Sequence, residues 1–130
     1  MHAHCSYDYA IVRVVPRAER EEFVNIGVIV SCPEKDFLAA RIEIDEARLR
    51  AFDPTIDIDA VRRHANSVAI ICEGGADAGP IGKLTQRERF HWLVAPRSTI
   101  IQMSPSHAGR CDEPTRVVEH LMEKMVRTVR

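Results

Sequence analysis

The sequence has few aromatic residues, almost no net charge and no long apolar run, and each shortage excludes a class of protein. Aromatic side chains make up 5% of the 130 residues, which argues against a surface that stacks several nucleotide bases and predicts an aliphatic core. Eighteen Lys and Arg residues against nineteen Asp and Glu residues give a formal net charge of -1. This balance offers no general attraction to nucleic acids or acidic membranes, so binding of nucleic acid would depend on a local basic site.

Signals for secretion and for membrane insertion are also missing. Residues 1–9 include two histidines, a cysteine and an aspartate, where a signal peptide has a basic start and an apolar stretch of about 7 to 15 residues. The longest apolar runs, such as residues 10–15, are far shorter than the ~20 residues that cross a bilayer. We expect a cytoplasmic protein with no membrane partner.

The cysteines are too widely spaced to predict a disulfide scaffold. Cys5, Cys32, Cys72 and Cys111 include no C-x-x-C pair, so we expect reduced thiols. Zinc accepts imidazole and thiolate ligands, and His107 with Cys111 would offer one of each, but this spacing matches no recognised zinc module. We therefore expect no metal and no cofactor.

Length and hydrophobic patterning predict one α+β domain over residues 1–130. The chain is 45% apolar and 28% charged, as soluble globular proteins are. Three strand-like stretches, residues 7–15, 23–32 and 37–44, predict an antiparallel meander, with a bulge where Asn25 and Gly27 interrupt the second strand. With a later strand at 99–103, the expected fold is an antiparallel sheet of about four strands packed with three to four helices.

Helical periodicity predicts where those helices lie. A short helix runs to residue 51, a longer one covers 60–72, a third covers 86–93, and a last amphipathic helix occupies the C-terminal end. Glycines make residues 73–82 a flexible loop. The predicted starting residues are Asp45, Asp57 or Asp59, Thr85 in a capping box with Glu88, and Asp112 or Glu113.

No known catalytic motif is present. The sequence contains no G-x-x-x-x-G-K-[ST] loop, no G-x-G-x-x-G after a strand, no H-E-x-x-H and no G-x-S-x-G. This favours a non-catalytic module over an enzyme without deciding the question.

Residues 87–112 concentrate the polar chemistry of the chain. This segment holds four arginines, two histidines and the only tryptophan. The planar guanidinium of arginine binds phosphate or carboxylate through paired donors, and a tryptophan among polar residues is typical of a surface that anchors a partner. We therefore predict that the segment binds a partner protein or an anionic ligand. The candidate binding residues are Arg89, His91, Trp92, Arg97, Ser98 and His107.

An enzymatic alternative uses the same segment. His107 lies in a predicted loop, histidine is a common general base, and Asp112 would orient it for that role. Arg89 and Arg97 would hold the substrate, so the alternative is a hydrolase or nuclease-like enzyme acting on a phosphate-containing substrate.

Structural explanations compete with both assignments. Arg87 and Arg89 are also explained as solvated helix residues, and His91 as a packed histidine between Phe90 and Trp92. The oligomeric state stays open, since an uncovered edge strand invites pairing that many proteins block.

The motifs, taken in order, resemble those of a known family. The segments YDYAIVRVVP, EFVNIGVIVSCP, AGPIG, RFHWLVAPRSTIIQ and SPSHAGRCDEP resemble the bacterial domain of unknown function 3037 over nearly the whole chain. That family has no established activity, so the resemblance implies no catalytic residue. Its members often lie beside genes for kinases similar to the HipA type, which implies a partner or regulatory role with such a kinase.

Overall fold

The sheet is antiparallel and places β1 at its centre. The computed structural model describes residues 5–97 and 99–128. β2 and then β3 lie on one side of β1, and β4 and β5 both pair with its other side. The predicted α+β class and N-terminal meander are confirmed. The strands are β1 (Cys5–Val14), β2 (Val24–Cys32), β3 (Phe37–Ile42), β4 (Ile101–Met103) and β5 (His107–Cys111).

The helices begin at the predicted capping residues. The Asp45 carboxylate accepts from the backbone N–H of Arg48, and Thr85 forms the expected capping box with Glu88. Among the described residues, no helix is both long and apolar enough to cross a membrane. The helices are α1 (Glu46–Phe52), α2 (Ile58–Glu73, capped by Asp57), α3 (Gln86–Val94) and α4 (Pro114–Leu121), which continues as a π turn (Met122–Val126).

The stretch expected as a loop between α2 and α3 contains short helical turns. Most of it forms 3-10 turns over Ala76–Lys83. Gly79 provides the positive φ, 65°, at the kink that separates two of these turns.

The sheet separates two apolar cores. On one face, α1, α2 and α3 pack against side chains such as Val12, Val14 and Ile29. On the other face, α4 and the π turn pack against Ile11 and Val28, with Tyr7, Tyr9 and Phe37 at the margin. Side chains therefore alternate between two buried faces, which accounts for the nearly continuous apolar runs of β1 and β2.

β2 contains the predicted bulge. Beyond it, the side chains of the strand point to the opposite face of the sheet from the one that the regular alternation would give. Val12 pairs with Gly27 and Arg13 pairs with Asn25, so Ile26 is the extra residue. Because of this shift Ile26 packs in the core beneath α1 to α3, although Val28 packs against α4. Asn25 consequently faces the π turn.

The predicted loop around His107 is wrong, because these residues form β5. His, Ala, Gly and Arg are poor strand formers, so only pairing with β1 reveals the strand. Gly109 lies opposite Tyr7, and a Cβ at Gly109 would stand 2.5 Å from the Tyr7 ring. The missing side chain is what lets the ring lie across the strand.

Candidate functional site

The polar segment 87–112 is divided between the two faces of the sheet. Its first part forms α3, on the face that α1 and α2 also cover, because Phe90 and Leu93 are buried in that core. Its last part forms β5, where the exposed His107 pairs with Tyr9 and therefore shares the opposite face. The segment is thus not one surface.

Arg87 and Arg89 both make specific contacts within the fold. Arg87 pairs with the Asp8 carboxylate at 2.7 Å and donates to the Ser31 hydroxyl at 3.3 Å. Arg89 is 7% exposed, and its Nη1 donates to the carbonyl oxygens of Ile71 at 2.8 Å and Cys72 at 2.7 Å. The Arg89 guanidinium therefore caps the last turn of α2.

The surroundings of Arg89 are closed to an external anion. Its Nε donates to the Leu84 carbonyl at 3.2 Å. Gly74 approaches so closely that a Cβ there would lie 2.7 Å from Arg89 Nη1. Burial also raises the pKa of the neighbouring Cys72 thiol to about 12, although the positive charge of Arg89 opposes that rise. Arg89 thus joins α2 to α3.

Trp92 and Arg97 come together at the C-terminal end of α3. Trp92 is 37% exposed, and the guanidinium carbon of Arg97 lies 4.1 Å from the centroid of its ring. Arg97 also donates from Nη2 to the Trp92 carbonyl and from Nε to the Ala95 carbonyl at 3.4 Å. His91 is exposed on the same helix with its ring edge against Phe90. Ser98, the remaining predicted residue here, lies outside the described residues.

Beside this pair lies a groove of about 270 Å³ between α2, α3 and β4, which we call the Trp92–Arg97 groove. Its floor is apolar, since Val68, Leu93 and Ile101 are each less than 7% exposed. The described residues that line it include no carboxylate, and its ionisable side chains are those of His64 and Arg97. The lining residues are His64, Ser67, Val68, Ile71, Trp92, Leu93, Arg97, Thr99, Ile101, Gln102 and Met103.

His107 and Asp112 are held apart by the strand that connects them. His107 begins β5 and Asp112 follows its last residue, so five extended residues, or about 16 Å, separate their backbones. The His107 ring instead lies 5.3 Å from the Tyr9 ring. The structure therefore brings neither Asp112 nor the two substrate-holding arginines to His107.

A second, polar cleft of about 1050 Å³ escaped the sequence reasoning. It lies between the β2 bulge, the connection from β3 to α1, and the π turn. The Asn25 amide donates to the Met125 carbonyl at 3.0 Å, and Arg48 donates to the Val126 carbonyl at 3.1 Å. The interruption at Asn25 was the only sequence signal for it, because the π turn lies 100 residues away along the chain.

Carboxylates outnumber arginines in the lining of this cleft, and Arg127 pairs with several carboxylates in and beside it. Arg127 binds Glu43 through two bonds of 3.0 and 2.7 Å and also pairs with Glu119 and Glu123. Hydrogen bonds from Arg127 lower the pKa values of Glu43 and Glu119. The arrangement clamps the C-terminal end onto the β3 side of the sheet.

Potential metal ligands do not cluster in the part of the chain that the structure describes. Within residues 5–97 and 99–128, no three His, Cys, Asp or Glu side chains are arranged to hold a metal ion. The Trp92–Arg97 groove therefore combines the features of a binding site best: an exposed aromatic ring, an open apolar floor and a cation.

Comparison with known proteins identifies the family and no activity. Residues 9–126 match the model of a family described as a protein of unknown function, DUF3037. Searches of curated proteins and of solved structures found no match. Since the match covers nearly the whole chain, the chain belongs to the DUF3037 family.

Proposed function

We propose that this member of the DUF3037 family is a non-catalytic binding module whose Trp92–Arg97 groove binds a partner protein. The observation that carries the proposal is the exposed Trp92 ring beside an open apolar floor. Tryptophan and arginine are the residues that most often dominate the binding energy of protein interfaces, especially beside a pocket that a partner side chain can fill.

The volume of the groove indicates the size of the ligand group that it can hold. Ligand pockets for whole small molecules usually enclose roughly 300 to 1,000 Å³, and this groove encloses about 270 Å³. It is thus suited to one large apolar side chain, such as Leu or Phe, presented by a longer segment of a partner. Ser67 and Gln102 at the margin offer hydrogen bonds to the backbone of that segment.

The charge of the groove indicates which residue lies next to the partner's apolar side chain. Arg97 and His64 are its ionisable groups, and no carboxylate is among its described lining residues. Nε and Nη2 of the stacked Arg97 guanidinium donate to backbone carbonyls, whereas Nη1 makes no hydrogen bond to a described residue. Nη1 can donate one charge-assisted hydrogen bond to a carboxylate, so the occupant is an apolar residue next to Asp or Glu.

The enzymatic alternative has less support. It requires His107, Arg89 and Arg97 in one cleft with substrate, and the sheet stands between His107 and the two arginines. The family resemblance makes a kinase similar to the HipA type the first partner to test.

Binding measurements with single substitutions test this proposal. The chain is immobilised as wild type, Trp92→Ala, Arg97→Ala and His107→Ala, and each folded variant is incubated with the purified candidate kinase and with a lysate. We expect Trp92→Ala and Arg97→Ala to weaken binding about 30-fold, as loss of a dominant interface residue does. His107→Ala, on the other face, should leave the affinity unchanged.

The partner's own residues provide the decisive control. Capped peptides that tile its contact region are titrated while the emission of Trp92 is followed. A peptide with an apolar residue beside Asp or Glu should bind, and replacing the acid by its amide should weaken binding. Loss of binding only in His107→Ala, or equal binding by all four proteins, would refute the groove as the binding surface.

A further inference from the structure

Three of the four cysteines lie near one end of the sheet. Cys5 begins β1 and Cys111 ends β5, and the two are direct partners in the antiparallel ladder. Cys32 ends β2, which lies on the other side of β1. Cys72 is remote from them, on the buried face of α2. All four thiols are free.

The ladder places Cys5 and Cys111 within reach of a covalent bond. Directly opposed residues of antiparallel strands have their side chains on one face and their Cα atoms about 4.5 or 5.5 Å apart. Disulfides join Cα atoms that are about 4.4 to 6.8 Å apart. The Cα atoms of the two cysteines therefore lie within the range that a disulfide joins.

The Cα distance between Cys32 and Cys111 lies outside the range that a disulfide joins. β1 lies between β2 and β5, so two strand spacings, or about 9.5 Å, separate the backbones of these two cysteines. This exceeds the roughly 7 Å beyond which the backbone has to move. The Cys32 and Cys111 side chains are nevertheless in contact, because a hydrogen bond between the two thiols contributes to the raised pKa of Cys111. The Cα spacing, and not the distance between thiols, therefore distinguishes this pairing from that of Cys5 with Cys111.

We propose that Cys5 and Cys111 form a reversible disulfide when the protein meets a peroxide. The bond would join β5 to β1 at their outer end. Opposed Cβ atoms in a ladder lie about 4.5 to 5.5 Å apart, wider than the ~3.8 Å that a disulfide prefers. The resulting strain makes the bond accessible to reductants, so the modification is reversible.

Burial decides which thiol reacts first. Cys5 is 5% exposed, and Cys111 is half-buried, so peroxide reaches Cys111 more readily. Burial raises the pKa of the Cys111 thiol, and the nearby Cys32 and Cys5 raise it further. Burial raises the pKa of the Cys5 thiol as well. Cys5 and Cys111 are therefore both protonated thiols at neutral pH. Since the thiolate is the nucleophile, oxidation accelerates as the pH rises.

The reaction balances with hydrogen peroxide as the oxidant. The Cys111 thiolate attacks one peroxide oxygen, the O–O bond breaks, and the departing hydroxide takes a proton to become water. Cys111 is then a sulfenic acid. The Cys5 thiolate attacks the Cys111 sulfur, the S–S bond forms, and the S–O bond breaks to release a second water. Two thiols are oxidised and one peroxide is reduced.

Peptide mapping of the full chain tests this pairing. Trypsin cleavage after Arg and Lys places the four cysteines on four peptides, residues 1–13, 21–35, 64–83 and 111–116. The folded protein is treated with hydrogen peroxide, its remaining thiols are blocked in acid, and it is digested without reductant. We expect one link, between peptides 1–13 and 111–116, together with an intact mass lower by two hydrogen atoms. Dithiothreitol should remove both changes.

Matched variants separate this proposal from its rivals. Cys32→Ser and Cys72→Ser should form the same link, and Cys5→Ser should not form it. A link from Cys111 to Cys32, links only between molecules, or oxidation of Cys111 to sulfinic acid without any link would overturn the proposal. The wild-type map alone decides the pairing, so a variant that fails to fold does not leave the question open.

Discussion

The guanidinium of Arg89 donates from a single nitrogen, Nη1, to two successive carbonyl oxygens at the end of α2, with Cys72 the nearer acceptor at 2.7 Å. A side chain predicted to bind a partner or substrate thus closes a helix of its own fold. The same contact joins α2 to α3, which form two walls of the Trp92–Arg97 groove.

Replacing Arg89 by methionine should lower the free energy of unfolding by about 3 kcal/mol, because buried carbonyl oxygens would lose their donors. Urea denaturation followed by circular dichroism measures this. Arg63→Met, at an exposed position on α2, is the matched control and should change stability by less than about 0.5 kcal/mol. An Arg89→Met protein as stable as wild type would show that this cap is dispensable.

Gly27→Ala should destabilise the protein by about 2 to 3 kcal/mol, as overpacking of a core does. The added Cβ would stand 2.4 Å from the Arg41 carbonyl oxygen and 2.7 Å from Ile42 Cγ1. Backbone of β3 would have to move to admit it. Thermal unfolding measures the effect, and Ser6→Ala, exposed on β1, provides the control. Equal melting temperatures for the two variants would contradict the close approach of β2 to β3.

Arg97→Ala should expose the Trp92 ring without unfolding the protein. The stacked guanidinium contributes about 0.5 to 1 kcal/mol at an exposed site, so the fold should persist while the ring gains water. Since Trp92 is the only tryptophan, its emission reports this contact directly. We expect a red shift and stronger quenching by acrylamide, with no change in Arg116→Ala on α4. Unchanged emission would mean that Arg97 does not cover the ring in solution.

The clamp around Arg127 should depend on pH. Hydrogen bonds from Arg127 lower the pKa values of Glu43 and Glu119, so the stabilisation is present above the unfolded carboxyl pKa and is lost as the pH falls through the lowered folded values. Arg127→Gln should therefore reduce the urea midpoint at pH 7 and have progressively less effect below about pH 4. A difference from wild type that stays constant from pH 7 into this acid range would contradict this linkage.

The sequence was sufficient to predict helix and strand boundaries where local signals and the pattern of burial agree. Thr85 with Glu88, and the run of β-branched residues before Pro16, specify a helix start and a strand end through contacts a few residues apart. The interruption of the apolar run at Asn25 and Gly27 likewise predicted the bulge in β2. β5 was missed because its residues have low strand propensity. Its extended conformation is stabilised by pairing with β1, which the sequence does not reveal.

The candidate site depended on information that the sequence does not contain. Residues 87–112 are one basic segment in the sequence. The packing of α3 on one face of the sheet and the pairing of His107 with Tyr9 place Arg97 and His107 on opposite sides. Whether an arginine caps a helix, as Arg89 does, or stacks on an exposed ring, as Arg97 does, is decided by neighbours distant in sequence. Periodicity and capping chemistry by themselves determined the α+β class, and the ordered motifs indicated the family through their resemblance to it. Only the tertiary structure decided which polar side chains meet, because their contacts depend on how strands and helices pack and not on their order in the chain.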